Sequence, residues 1–77
     1  SGVVGALISA IQEMSGLALE VEGFDEFSLG DHTGAKAMAC VRIRQGEQLG
    51  EAVALAEDTT AAALQAVLSA AGRALNA

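Results

Sequence analysis

The tightest constraint on this chain is a run of small residues that leads directly into a helix cap. From Gln48 to Ala56, Gly50, Ala52, Ala54 and Ala56 alternate with Leu49, Glu51, Val53 and Leu55. A period of two is that of a strand, with successive side chains on opposite faces. Here one face is small and apolar, and the other is apolar apart from Glu51. A strand apolar on both sides is buried on both sides. The segment Glu57-Asp58-Thr59-Thr60 follows, and Asp58 or Thr59 can cap a helix by accepting from a free backbone N–H. In that helix Leu64, Leu68, Ala71 and Leu75, with Val67 alongside, predict the buried stripe. Gly72 costs about 1 kcal/mol relative to alanine in a helix, so it is expected to mark a close crossing.

The rest of the chain supplies the partners for this unit. Val3, Val4, Leu7, Ile8, Ile11 and Met14 recur at helical spacing and predict a helix over residues 3–15, with Gly16 as its C-cap. Leu17, Leu19 and Val21 then alternate with Ala18, Glu20 and Glu22, which predicts a first strand continuing toward a loop at residues 29–34. From Ala35 to Arg44, Ala37, Ala39, Val41 and Ile43 alternate with Lys36, Met38, Cys40, Arg42 and Arg44. Gln45-Gly46-Glu47 reads as a tight hairpin turn. The expected fold is α+β in the order α-β-β-β-α: a three-stranded antiparallel sheet with two helices on one face, in one small domain spanning residues 1–77.

Size and charge limit what such a domain can do. At 77 residues, folding hides only about 60% of the unfolded chain's surface, so a lone core is thin and association is a common remedy. One cysteine, Cys40, cannot form an internal disulfide, and with the single His32 it cannot build a structural zinc site. Ten acids against four bases give a net charge of −6, which argues against nucleic acids and anionic membranes as partners, since both need a basic face. The sequence has neither a signal-peptide pattern nor a long apolar run, so a cytoplasmic location is expected. A start at Ser1-Gly2 suggests a tag remnant or an excised domain.

The far face of the sheet has two characters. Glu20 and Glu22 lie opposite Lys36, Arg42 and Arg44 if the first two strands pair antiparallel, and such cross-strand pairs help by roughly 0.2–1 kcal/mol each. Met38 and Cys40 share that face, however, and the third strand adds Leu49, Val53 and Leu55. In so short a chain only a second subunit or a neighbouring domain can cover these five residues, which makes them the expected interface.

Individual side chains offer little chemistry. His32 beside Asp31 has no second histidine and no nucleophile near it in sequence, so a solvated loop residue is expected. Cys40 reads as a packing residue, although Arg42 and Arg44 point the same way and leave thiolate activation open. Glu20, Glu22, Asp25 and Glu26 lack the glycine-centred alternation of a calcium loop. The glycines at 30 and 34 precede a strand, so no helix N-terminus is placed to cradle phosphate. No catalytic residue, metal site or cofactor is expected.

The run Ala52-Val53-Ala54-Leu55-Ala56-Glu57-Asp58, followed by the alanine-rich helix through Leu64, Ala66, Leu68 and Leu75, resembles the end of the C-terminal regulatory (LeuA dimerisation) domain of 2-isopropylmalate and citramalate synthases. That family has G-V-G-L-A-T-D-like residues before its final helix. A glycine-and-acid loop leading into an alternating strand, as at Gly30 to Arg44, is similar too, and the likeness covers residues 5–76. The family's domain consists of two βββα units, and this chain looks like the helix of the first unit plus all of the second. Ala52 and Ala54 stand where the family has glycines.

The resemblance implies a non-catalytic regulatory and dimerisation module. Its partners would be a second copy, or a missing unit and catalytic domain, enclosing a small hydrophobic, leucine-like amino acid between units. The ligand-lining residues it implies are Ala52, Ala54, Ala56, Asp58 and Thr59, with free N–H groups at the start of the last helix favouring a carboxylate. A ligand-free assembly module is the alternative. A small stand-alone enzyme or carrier is a further one, although no nucleophile–base pair, carrier-type serine motif or metal cluster accompanies it.

Overall fold

The computed structural model describes residues 2–30 and 34–76. The chain runs α1 (Gly2–Ser15), β1 (Glu20–Ser28), β2 (Ala37–Gln45), β3 (Gln48–Ala56) and α2 (Thr59–Leu75). The strands form one antiparallel sheet in the order β1-β2-β3. The α-β-β-β-α order and the α+β class are therefore as the residue pattern predicts.

The β2–β3 hairpin turns on Gly46 and Glu47, between the paired Gln45 and Gln48. Gly46 has φ +61°, and glycine with positive φ at the first central position suits a two-residue hairpin. β1 begins at Glu20 rather than at Leu17. The backbone N–H groups ahead of it are held by the helix instead of by a strand: Leu17 donates to Ser15 Oγ at 3.2 Å and Leu19 to Gln12 Oε1 at 2.7 Å. Within β1 the register shifts between Val21 and Gly23, a bulge that the alternating pattern does not reveal.

Ala37, Ala39, Val41 and Ile43 of β2 are buried on the inner face, beneath α2. Their cross-strand partners Ala56, Ala54, Ala52 and Gly50 share that face. From α2 the buried residues are Ala62, Ala63, Ala66, Val67, Ala70, Ala71 and Ala74. The expected leucine stripe is thus corrected. Leu68 is 54% exposed and Leu64 and Leu75 are half-buried, because a sheet this smooth admits alanines closer than leucines.

The expected crossing at Gly72 is corrected as well. A Cβ there would meet nothing within 4 Å, whereas one on Gly50 would lie 2.0 Å from the Ala70 carbonyl oxygen and 2.6 Å from the Ala74 nitrogen. At Gly50 the backbone of α2 lies directly against the sheet. α1 packs on α2 through half-buried Val4, Leu7, Ile8 and Ile11 and buries no residue fully. It reaches no strand directly. The inner face of β1 is left partly uncovered, with Val21 and Phe24 accessible.

Candidate functional site

Pairing register arranges the outer face of the sheet in rows. One row is wholly apolar: Phe27, Met38 and Leu55. The next runs Asp25, Cys40 and Val53, the third Gly23, Arg42 and Glu51, and the last Glu20, Arg44 and Leu49. All five expected interface residues, Met38, Cys40, Leu49, Val53 and Leu55, are therefore brought together on one face. Val53 is 64% and Leu55 56% exposed, so two branched apolar side chains stand open side by side on the outer face of the edge strand β3. Phe27 belongs to the same patch, and alternation alone could not have found it, because unbroken pairing from Glu20 puts residue 27 on the inner face and the bulge between Val21 and Gly23 turns it outward, opposite Met38.

The polar end of this face is internally paired. Arg44 Nε donates to Glu22 Oε2 and Arg44 Nη2 to Glu22 Oε1, the shorter separation being 2.6 Å. This bond holds the Glu22 carboxyl below its ordinary value and raises the Arg44 guanidinium above its own. Arg42 turns to β3 rather than β1, with its Nε and Nη2 each 2.8 Å from Glu51 Oε2. Between the Gly23–Arg42–Glu51 row and the Asp25–Cys40–Val53 row, where Gly23 has no side chain, lies an open concavity of about 470 Å³. Its walls include Asp25, Cys40, Arg42, Glu51 and Val53.

The residues expected to line a ligand are divided. Ala52, Ala54 and Ala56 are half-buried on the inner face against the core. Asp58 and Thr59 lie at the start of α2, where the Asp58 carboxylate accepts from the Ala61 backbone N–H at 2.8 Å. One of that end's free donors is thus already satisfied by the chain itself. Asp31 and His32 lie outside the described residues. Cys40 is a free, half-buried thiol at the middle of the outer face. Among the described residues no three His, Cys, Asp or Glu side chains come together as metal ligands, and no helix is long and apolar enough to cross a membrane.

A thin helix–sheet sandwich with an apolar face open on one side is the build of an assembly module. Residues 1–75 match the family model of the LeuA allosteric (dimerisation) domain. The chain is also 56% identical over 72 residues to a 2-isopropylmalate synthase of Alcanivorax borkumensis. That match takes in 94% of this chain and 13% of the relative, so the chain spans about an eighth of the protein it matches. No solved structure matches it. The chain belongs to the LeuA allosteric (dimerisation) domain family.

Proposed function

We propose that this chain is a non-catalytic regulatory unit of a cytoplasmic 2-isopropylmalate synthase, which self-associates and responds to a branched-chain amino acid held between units. The outer sheet face carries this reading: Phe27, Val53, Leu55 and Leu49, each 40% exposed or more, sit together with Met38 and Cys40. Surface apolar groups concentrated in one patch and rimmed by ion pairs have the anatomy of an interface. Regulation then follows from differential affinity, since an effector that binds one packing of the units better than another shifts the balance that a catalytic domain senses.

Sedimentation across micromolar concentrations tests the assembly, and calorimetry with leucine and isoleucine tests the effector. Val53→Glu is expected to break association far more than Glu51→Lys, because it places a charge in the apolar patch. A stable monomer of the wild-type chain refutes the self-association. The plain assembly alternative has its own support in Asp58, which already caps α2. Assembly with no calorimetric response to either amino acid selects it.

A further inference from the structure

We propose that the free edge of β3 pairs with β3 of a second copy, antiparallel about a two-fold axis at Ala52, so that two three-stranded sheets become one continuous sheet. This rests on the self-association proposed above and adds to it a contact of a different kind, backbone along an edge rather than side chains across a face.

The two edges of the sheet are built differently. β1 has a bulge between Val21 and Gly23 and carries Glu20, Glu22, Asp25 and Glu26 among its nine residues. A bulge and charges are the devices that keep an edge from pairing, and two such edges would bring like charges together. β3 has neither defence. Its pairing with β2 is unbroken from Gln48 to Ala56, the chain has no proline, and its single charge, Glu51, is taken up by Arg42. Among the described residues no strand lies beyond β3, and α1 meets only α2.

Register fixes which backbone groups this edge offers. The two-residue turn makes Gln45–Gln48 a hydrogen-bonded pair, and bonded pairs alternate with non-bonded ones along an antiparallel ladder. Gln48, Gly50, Ala52, Ala54 and Ala56 therefore bond to β2. The N–H and C=O groups of Leu49, Glu51, Val53 and Leu55 point away from it. A two-fold at Ala52 sets Leu49 opposite the partner's Leu55 and Glu51 opposite the partner's Val53. All four residues then exchange both of their bonds, and no two acids face each other.

The same axis accounts for Leu49, an exposed apolar residue at the polar end of the outer face. Pairing carries it into the Phe27–Met38–Leu55 row of the other copy, so the two apolar patches become one surface. The helices leave room for this. α2 lies over both β2 and β3, and an axis midway between them stands one strand spacing, about 4.8 Å, from the two-fold. Two copies of α2 would run about 10 Å apart, an ordinary separation for packed helices. The edges left over are both β1, whose bulge and acids stop further growth. The assembly therefore closes as a two-fold dimer.

Amide hydrogen exchange of the 77-residue chain, read by nuclear magnetic resonance at concentrations on both sides of the dimerisation seen by sedimentation, tests this. The Leu49, Glu51, Val53 and Leu55 amides are open to water in the monomer and should exchange about tenfold more slowly or better in the dimer. Gly50, Ala52 and Ala54 should be protected in both. In a Cys40→Ser background, Ala52→Cys should oxidise to a covalent dimer, because paired Cα atoms at a non-bonded site are about 4.5 Å apart and within disulfide reach. Ala54→Cys should not. Val53→Pro removes one outward donor and no bond to β2, and should leave a folded monomer; should it fail to fold, exchange and cross-linking decide. A chain that dimerises while its odd-numbered β3 amides stay fast and Ala52→Cys stays uncrosslinked overturns the edge pairing and leaves self-association standing. A monomer at every concentration overturns both.

Discussion

Replacing Gly50 and Gly72 with alanine should change stability in opposite directions, although both are glycines of the same helix–strand unit. At Gly50 the new Cβ would be built 2.0 Å from the Ala70 carbonyl oxygen and 2.6 Å from the Ala74 nitrogen. Both obstacles are helix backbone, so no rotamer change relieves them. Ordinary contact at about 3.5 Å requires α2 to retreat by about 1.5 Å, which loosens Ala66, Val67, Ala70 and Ala74 from the strands beneath. Overpacking typically costs about 1–3 kcal/mol, and a backbone clash belongs at the upper end. The alanine returns about 0.4–1 kcal/mol by restricting the unfolded chain. The net expectation is a loss of about 2–3 kcal/mol.

At Gly72 nothing lies within 4 Å of the new methyl and the backbone is already helical. Alanine should therefore gain about 1 kcal/mol. In a domain of this length 1 kcal/mol moves the melting point by about 4–8 °C. Gly50→Ala should therefore melt roughly 10–20 °C lower and Gly72→Ala several degrees higher. Thermal and urea unfolding followed by circular dichroism reads both, at one fixed protein concentration because association adds to apparent stability. Equal melting points for the two variants, or a Gly50→Ala loss below about 0.5 kcal/mol, would refute the close contact between α2 and β3.

Three further outcomes follow from single contacts. Asp58→Ala should cost about 0.5–2 kcal/mol through loss of the cap on Ala61, with Asp58→Asn well tolerated; urea melts of the two variants check this. The Glu22 carboxyl sits below its ordinary value in the folded chain, so its stabilising contribution is present above the unfolded value and fades as pH falls through the folded one. Glu22→Gln should accordingly flatten stability against pH on the acid side and leave the slope near neutrality unchanged, measured by urea midpoints across that range. Leu55→Glu should disperse the assembly as Val53→Glu does, whereas Leu68→Glu on the helical side should leave it intact; light scattering at matched concentrations separates them.

What the residue pattern made legible was what depends on alternation. β3 has the expected limits, and the inner and outer sets of β2 and β3 fall as their period of two requires. Asp58 caps α2 as its side chain and place suggest. What stayed hidden depended on tertiary contact. A leucine stripe looks like a core, yet β3 presents only Gly50 and alanines to α2, and the residues of α2 that come close enough to be buried are six alanines and Val67. The glycine that matters for packing was therefore in the strand, not in the helix. Gly23 and the bulge were invisible for a similar reason, since an added residue in one strand is defined only by its partner. The concavity beside them, and the free carboxylate of Asp25, could not be seen until β1 was laid against β2.

The distribution of apolar bulk ties the fold to its regulatory class. Eight of the twelve buried apolar residues among those described are alanine, and Ile43 and Val67 are the large side chains that are completely enclosed. Larger groups, such as Phe27, Leu49, Val53 and Leu55, remain 40–64% exposed. Full burial of one such side chain is worth about 1.5–3 kcal/mol. Covering the remaining exposure of four of them contributes a few kcal/mol per copy, which is comparable to the 4–15 kcal/mol that association costs in lost freedom. An outer-face dimer of this chain would therefore sit close to balance. Close to balance, a ligand with a coupling of about 1–3 kcal/mol changes affinity by 5–150-fold, enough to decide which packing prevails. A core built of leucine would have made the monomer more stable and left less apolar surface to control. If the outer face is the proposed interface, keeping the alanines inside and the branched residues outside would give the assembly, rather than the fold, the responsiveness that an allosteric domain needs.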